Sequence, residues 1–254
     1  MTAGDPPSAR DVEVPASPLV TDTPLSFPDL CARIHHRIAA FLDEKHESER
    51  LTSLQAQTRV SLDVLAEALD KYRLSELSIA YNGGKDCLVL LILYLCALHR
   101  KGLTPPEPNA RAETAIKCVY IQAPHPFQEV EDFVEVSVKT YSLQLLEYAK
   151  PMKAAFADYL HDTPSVKAIF VGTRRTDPHG EHLKHFDPTD SGWPPFMRIH
   201  PVIDWHYVDI WTIVRLRVYL ARWNRRHASQ PRAREAESKR RRGEHAEWDF
   251  NTPF

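Results

Sequence analysis

The stretch from Leu77 to Leu95, LSIAYNGGKDCLVLLILYL, constrains this chain more than any other, because it joins a strand to a helix through a loop suited to an anion. Leu77, Ile79 and Tyr81 alternate with Ser78 and Ala80 as in a short buried strand, and Leu88 to Leu95 run apolar enough for a largely covered helix. Between them lies Asn82-Gly83-Gly84-Lys85-Asp86. Two glycines permit a tight turn that brings backbone N–H groups against an anion, and the helix opening near Lys85 adds the positive end of its dipole. This is neither a Walker A loop, whose longer glycine spacing ends in Gly-Lys-Ser/Thr, nor the Gly-x-Gly-x-x-Gly of dinucleotide binders. A plain strand-to-helix turn accounts for a lone Gly-Gly about as well.

What surrounds this stretch sets the fold class. Before it, Leu30, Ile34, Ile38, Phe41 and Leu42, then Leu51, Leu54, Val60, Leu62, Leu65 and Leu69, recur at helical spacing, so two or more helices are expected to cover one face of a sheet. After it, Ala115–Gln122 reads as a strand, Phe127–Tyr141 as a helix, Leu143–Tyr148 as a strand, Met152–His161 as a helix and Val166–Gly172 as a buried strand. Met197–Val202 reads as a further short strand and Trp205–Leu220 as a helix. Such alternation predicts an α/β fold, a parallel sheet flanked by helices on both faces, with ligands at the carboxyl ends of the strands. The domain expected is 29–220, preceded by a disordered, Pro- and Ser-rich lead over 1–28 and followed by a basic, disordered tail over 221–254. The prolines at 105, 106 and 108 predict a surface insertion.

Composition narrows the function classes. With 254 residues, a formal charge of -2 and 26% charged residues, the chain does not read as a nucleic-acid binder, in spite of the arginines beyond residue 221. Cys31, Cys87, Cys96 and Cys118 form no Cys-x-x-Cys pair and read as reduced, packed thiols, and no run is apolar enough to cross a bilayer. A cytoplasmic monomer without a signal peptide or membrane span is expected.

Three constellations bear on chemistry. Lys85 and Asp86 open a helix beside the glycines, where lysine neutralises phosphate and a carboxylate can hold Mg²⁺; equally, Asp86 can serve only the helix dipole. Arg174 and Arg175, in Gly172-Thr173-Arg174-Arg175-Thr176-Asp177-Pro178, directly follow a strand and suit phosphate oxygens, although adjacent arginines are more often plain surface. Both loops end strands, so both are expected to face one cleft. The 173–198 segment, with four prolines and two glycines, is too long for an idle loop. Within it, Trp193 suits a flat ring or an anchor to the core, and Arg198 a phosphate. His179, Glu181, His182 and His185 would bind a metal only from a helix that Pro178, Gly180 and Pro188 oppose, so they read as polar loop residues.

Taken together, these residues resemble a known family. Ser78 to Cys87 is similar to the PP-loop of adenine-nucleotide α-hydrolase-like proteins, including PAPS reductases. Companion segments 170–178, 190–199, Pro201, Asp204-Trp205, Tyr207 and Asp209-Ile210-Trp211 resemble eukaryotic FAD synthases (FMN adenylyltransferases). The resemblance implies a Rossmann-like fold and adenylyl transfer from ATP to FMN with Mg²⁺, its metal ligands left open. It implies ATP phosphate contacts from Asn82, Gly83, Gly84 and Lys85, with Arg174 and Arg175 added on charge alone. Asn82, Asp86, Asp177 and Arg198 are the implied catalytic group, and Asp177, Trp193 and Arg198 the implied flavin contacts. It stops at Arg217, where the family's Pro-Tyr-Cys-x-Leu-Tyr-Asp-x-Gly-Tyr-Thr-Ser-Leu-Gly segment and following arginines give way to the basic tail, which implies impaired turnover. Rival readings are a PAPS reductase-like oxidoreductase, which would need a cysteine beyond Cys118, and a non-catalytic flavin or nucleotide binder.

Overall fold

The computed structural model describes residues 25–105 and 116–215. The lead before residue 25, the insertion at 106–115 and the tail from 216 lie outside the described residues. Six strands form one sheet in the order β3-β2-β1-β4-β6-β5. They are β1 (Leu77–Ala80), β2 (Ile116–Ile121), β3 (Leu143–Tyr148), β4 (Ala168–Phe170), β5 (Phe186–Pro188) and β6 (Met197–Ile199). All neighbours run parallel except β5, which pairs antiparallel to β6 at the edge. The helices are α1 (Phe27–Asp43), α2 (Glu49–Lys71), α3 (Lys85–Arg100), α4 (Gln128–Tyr141), α5 (Met152–Asp162) and α6 (Tyr207–Arg215).

The expected strand and helix alternation is present, with three differences. Helix α1 begins at Phe27, inside the span expected to be a disordered lead, because Ser26 caps it by accepting the Asp29 N–H at 3.3 Å. Helices α1 and α2 were expected to cover the sheet directly, and instead pack mainly over α3, with Lys71 at the end of α2 lying over the Phe186 ring of β5, 4.5 Å to its centroid. That explains a helix apolar all round: every residue from Val89 to Leu98 is buried, with the sheet on one side and two helices on the other. The third difference is β5, within the segment expected to be irregular. At three residues ending in proline it carries no strand periodicity, and only an edge position tolerates its Pro188.

Two apolar clusters sandwich the sheet. The larger joins α1, α2, α3 and α6 to Leu77, Ile79, Cys118, Phe170 and Ile199. The smaller sets α5, through Phe156 and Tyr159, against Val119, Ile169 and Phe196. Strand order reverses between β1, which leads to β2 and β3 on one side, and β4, which leads to β6 on the other. In open parallel sheets such a reversal parts the crossovers and leaves a crevice at the strands' carboxyl ends. No helix among the described residues is long and apolar enough to cross a membrane.

Candidate active site

The glycine loop leaves β1 and the arginine loop leaves β4, so they flank the crevice. Tyr81, the residue after β1, is buried, its N–H donating to the Val119 carbonyl at 2.9 Å, and Asn82 then turns the chain by accepting the Gly84 N–H on Oδ1 at 2.9 Å. Gly83 takes φ +72°, and a Cβ there would lie 2.8 Å from Val134 Cγ2 of α4, so only glycine fits both the conformation and the space. No side chain caps α3, which opens at Lys85 and leaves its first-turn N–H groups for a ligand.

Gly172 brings the second loop in. A Cβ at this position would sit 3.1 Å from both the backbone nitrogen and Sγ of Cys87, so the exit of β4 lies directly against the start of α3. The first arginine beyond it joins the two loops. Arg174 Nε is 3.1 Å from Asp86 Oδ1, and its Nη2 donates to Asp177 Oδ1 at 2.7 Å, while the Arg174 N–H donates to Asp177 Oδ2 at 2.8 Å. Lys85 Nζ completes the group 3.0 Å from Asp86 Oδ2. Two cations and two carboxylates thus form one chain, with the Arg174 side chain only 12% exposed. The Nε–Oδ1 contact is an ion pair but not an aligned hydrogen bond, so Asp86 Oδ1 is a buried acceptor with capacity left over.

The other expected residues divide differently. Arg175 turns away from this group: its Nε donates to Asp204 Oδ1 at 2.6 Å and its Nη1 to the carbonyls of Glu181 and Leu183, both at 3.0 Å. It laces the loop together, and its fork is spent on carboxylate and carbonyl oxygens where a phosphate contact was expected. Arg198 faces Asp190, with Nη1 3.3 Å from Oδ2, and donates Nη2 to the Pro188 carbonyl at 2.9 Å. Trp193 lies in the connection before β6, 37% exposed, beside a groove of about 580 Å³ whose other wall is Pro151, Lys153, Ala154 and Ala157 at the start of α5. Since Met197 pairs with Ala168, the first residue of β4, this connection leaves from the amino ends of the strands, but it folds back along α5 so that Trp193 meets the start of that helix, which follows the carboxyl end of β3. The ion pair between the long loop and the start of α3 is made by Arg174, at Asp86.

The histidines of that loop stay separate: the His182 side chain is 93% exposed, and His185 makes its ring contact with the His200 carbonyl at 2.9 Å. Among the described residues no three His, Cys, Asp or Glu side chains are placed to hold a metal ion on their own. Mg²⁺, however, needs only one or two carboxylates when phosphates supply its other ligands, and the spare Oδ1 of Asp86 beside Asp177 fits that requirement. Sequence reading missed Asp190, Asp204 and Tyr207 as partners of Arg198, Arg175 and Lys85; their signal lay only in falling within the same short motifs.

An anion cradle and a paired cation–carboxylate group at a switch point define a nucleotide-handling α/β protein of the PP-loop class. In agreement, the phosphoadenosine phosphosulfate reductase domain family matches residues 76–165 and 155–218, and the chain belongs to that family. Its relatives include proteins named FAD synthase. A Schizosaccharomyces pombe protein named probable FAD synthase is 36% identical over 186 residues, covering 73% of this chain and 69% of that protein. The Saccharomyces cerevisiae flavin adenine dinucleotide synthase is 36% identical over 156 residues, 55% of this chain and 50% of that one. Candida glabrata FMN adenylyltransferase, solved with FAD and inorganic pyrophosphate, superposes with a TM-score of 0.69 at 33% identity, covering 75% of this chain and 67% of that one.

Proposed function

We propose that this chain is an FMN adenylyltransferase, making FAD and pyrophosphate from ATP and FMN. An oxygen of the FMN phosphate attacks the α-phosphorus of ATP, and the bond from that phosphorus to the departing pyrophosphate breaks. The observation that carries the reading is Arg174 bridging Asp86 and Asp177 across the crevice between β1 and β4. Transfer between two anions asks a protein chiefly to hold them together and screen their charge. Asn82, Gly83 and Gly84 shape the turn whose N–H groups receive the ATP phosphates, Lys85 neutralises them, and Arg174 meets charge where it develops. Asp86 and Asp177 would hold Mg²⁺, which when bound supplies further neutralisation of phosphate charge. Trp193, above an apolar groove within the size range of ligand sites, would receive the flavin ring, with Arg198 toward its phosphate.

The rival thiol chemistry finds no support in the four cysteines. Burial pushes Cys31, Cys87 and Cys96 up to about 12 and Cys118 higher still, far from the thiolate a reductase needs. Four free thiols also suit a reducing compartment, and the cytoplasm, with the protein as a monomer, is the proposed setting. The matches that define the family extend no further than residue 218, so turnover is proposed to be lower than in relatives carrying the segment that follows the Asp-Ile-Trp helix.

Incubation of the full chain with ATP, Mg²⁺ and FMN, followed chromatographically, tests the reading. FAD formation supports it. FMN binding without turnover favours the non-catalytic alternative, and no binding of either substrate refutes both. Arg174→Met is expected to lower kcat/KM on the order of 10²-fold, as loss of one charge-stabilising donor does.

A further inference from the structure

Lys85 is the cation of the phosphate loop, yet lysine is a poor clamp unless something restrains it, because its flexible four-carbon stem and compact hydrated charge leave it many positions in water. Here Nζ is confined from two sides. Asp86 Oδ2 lies at 3.0 Å, and the ring of Tyr207 lies beneath it, 5.2 Å to the centroid. The aromatic face carries the negative part of the ring's quadrupole, and this distance is inside the ~6 Å over which it attracts an ammonium.

Tyr207 is itself firmly mounted. It is the first residue of α6, and Trp211, one turn on, meets its ring at 66° with centroids 6.1 Å apart. Helix α6 is tied to α2 by Arg50, whose Nη2 donates to the Val208 carbonyl at 3.1 Å and to the Thr212 hydroxyl. Asp209 Oδ2 closes its first turn by accepting the His206 N–H at 2.9 Å. A ring this well braced is nonetheless 54% exposed, so core packing does not account for it.

We propose that Tyr207 is a positioning residue for Lys85: a rigid aromatic wall that keeps the ammonium beside the glycine turn, so that the triphosphate meets a cation already in place. An incoming phosphate can draw Nζ off the Asp86 carboxylate while the ring continues to hold it, which lowers the ordering cost of binding. The inference rests on reading Asn82–Asp86 as the ATP phosphate loop, and adds to it a residue from a different element.

Tyr207→Leu is expected to weaken ATP binding about two- to fivefold, the range of a cation–π contact at a part-exposed site, and to raise KM for ATP while kcat stays within a factor of two. Tyr207→Phe, which keeps the ring, is expected to restore wild-type affinity. Calorimetric titration of Mg·ATP into the full-length wild type, Y207F, Y207L, K85M and the K85M/Y207L double variant gives the decisive cycle. The proposal predicts a Y207L penalty that disappears in the Lys85→Met background. An equal penalty in both backgrounds would mean that the ring touches nucleotide itself, a Phe variant as weak as Leu that the hydroxyl acts, and no penalty at all that the ring is idle. Each of these overturns it. If the wild type fails to bind ATP, the phosphate-loop reading falls and takes this inference with it; wild-type binding with an inert Tyr207 overturns the inference alone.

Discussion

Gly83 shows how tightly a single position of the loop is specified. Its φ of +72° is a region that residues with a Cβ enter at a cost of roughly 1–2 kcal/mol, and Val134 Cγ2 already occupies the place of the missing Cβ. Gly83→Ala is therefore expected to lower unfolding free energy by about that amount and to abolish the thermal stabilisation given by ATP. Adding Val134→Ala relieves the contact but not the φ, so only partial recovery is expected; full recovery in a differential scanning experiment would show that conformation is not the constraint. A buried histidine is expected to contribute to acid stability. His200 is 1% exposed, neither ring nitrogen has a hydrogen bond of good geometry, and burial, with Arg198 adding repulsion, lowers its pKa from 6.5 to about 4. The unfolded chain takes up a proton there below about pH 6.5, whereas the folded chain resists until about pH 4. Stability from this group is thus complete above pH 6.5 and lost as pH falls toward 4, by about 3 kcal/mol in total. Urea midpoints across this window should fall for the wild type and fall distinctly less for His200→Leu. Parallel curves would exclude His200 as the cause.

At the scale of elements, one buried hydroxyl ties α2 to the segment leading into α6. Ser61 Oγ donates to the Pro201 carbonyl at 2.7 Å and accepts the Trp205 indole N–H at 2.9 Å, all three groups buried. Ser61→Ala would leave the indole N–H without a partner in the core, at about 1–3 kcal/mol. Tm should drop by about 2–4 °C per kcal/mol in a chain of this size. Pairing it with Trp205→Phe, which removes the stranded donor, should cost less than the two single changes summed, as a thermal double-mutant cycle would register. Elements were also where sequence reading was most and least successful. The alternation of strands and helices from Leu77 to Asp162 was legible because burial on both faces of a parallel strand, and periodic burial of a helix, mark residues directly. Strand β5 was not, since three residues held by edge pairing have no periodicity to show. Nor was the placing of α1 and α2 over α3, because an apolar stripe says that a helix is covered and not by what.

Across the whole molecule three buried thiols make a global probe. Cys31, Cys96 and Cys118 are buried, so an aromatic disulfide reagent should label none of the three faster than the fold opens, whereas Cys87, half-buried against Gly172, should react first. Labelling rates of the three measured over increasing urea should track global unfolding; rapid reaction of one of them in buffer would reveal a local opening near it. The candidate site belongs to this scale as well. That one strand ends in a double-glycine turn and another in a loop of arginines and an acid is written in the order of residues, since turn chemistry, and the charges it carries, are local properties of adjacent residues. That these two strands are neighbours, at the point where strand order reverses, came from the folded sheet alone. So did the spanning of Asp86 and Asp177 by Arg174, the pairing of Arg175 with Asp204, and the position of Tyr207 beneath Lys85. Electrostatic and hydrogen-bonded partnerships act over a few ångströms, and for residues far apart in the chain that distance is set by the order in which the sheet is assembled, which no periodicity in the sequence encodes.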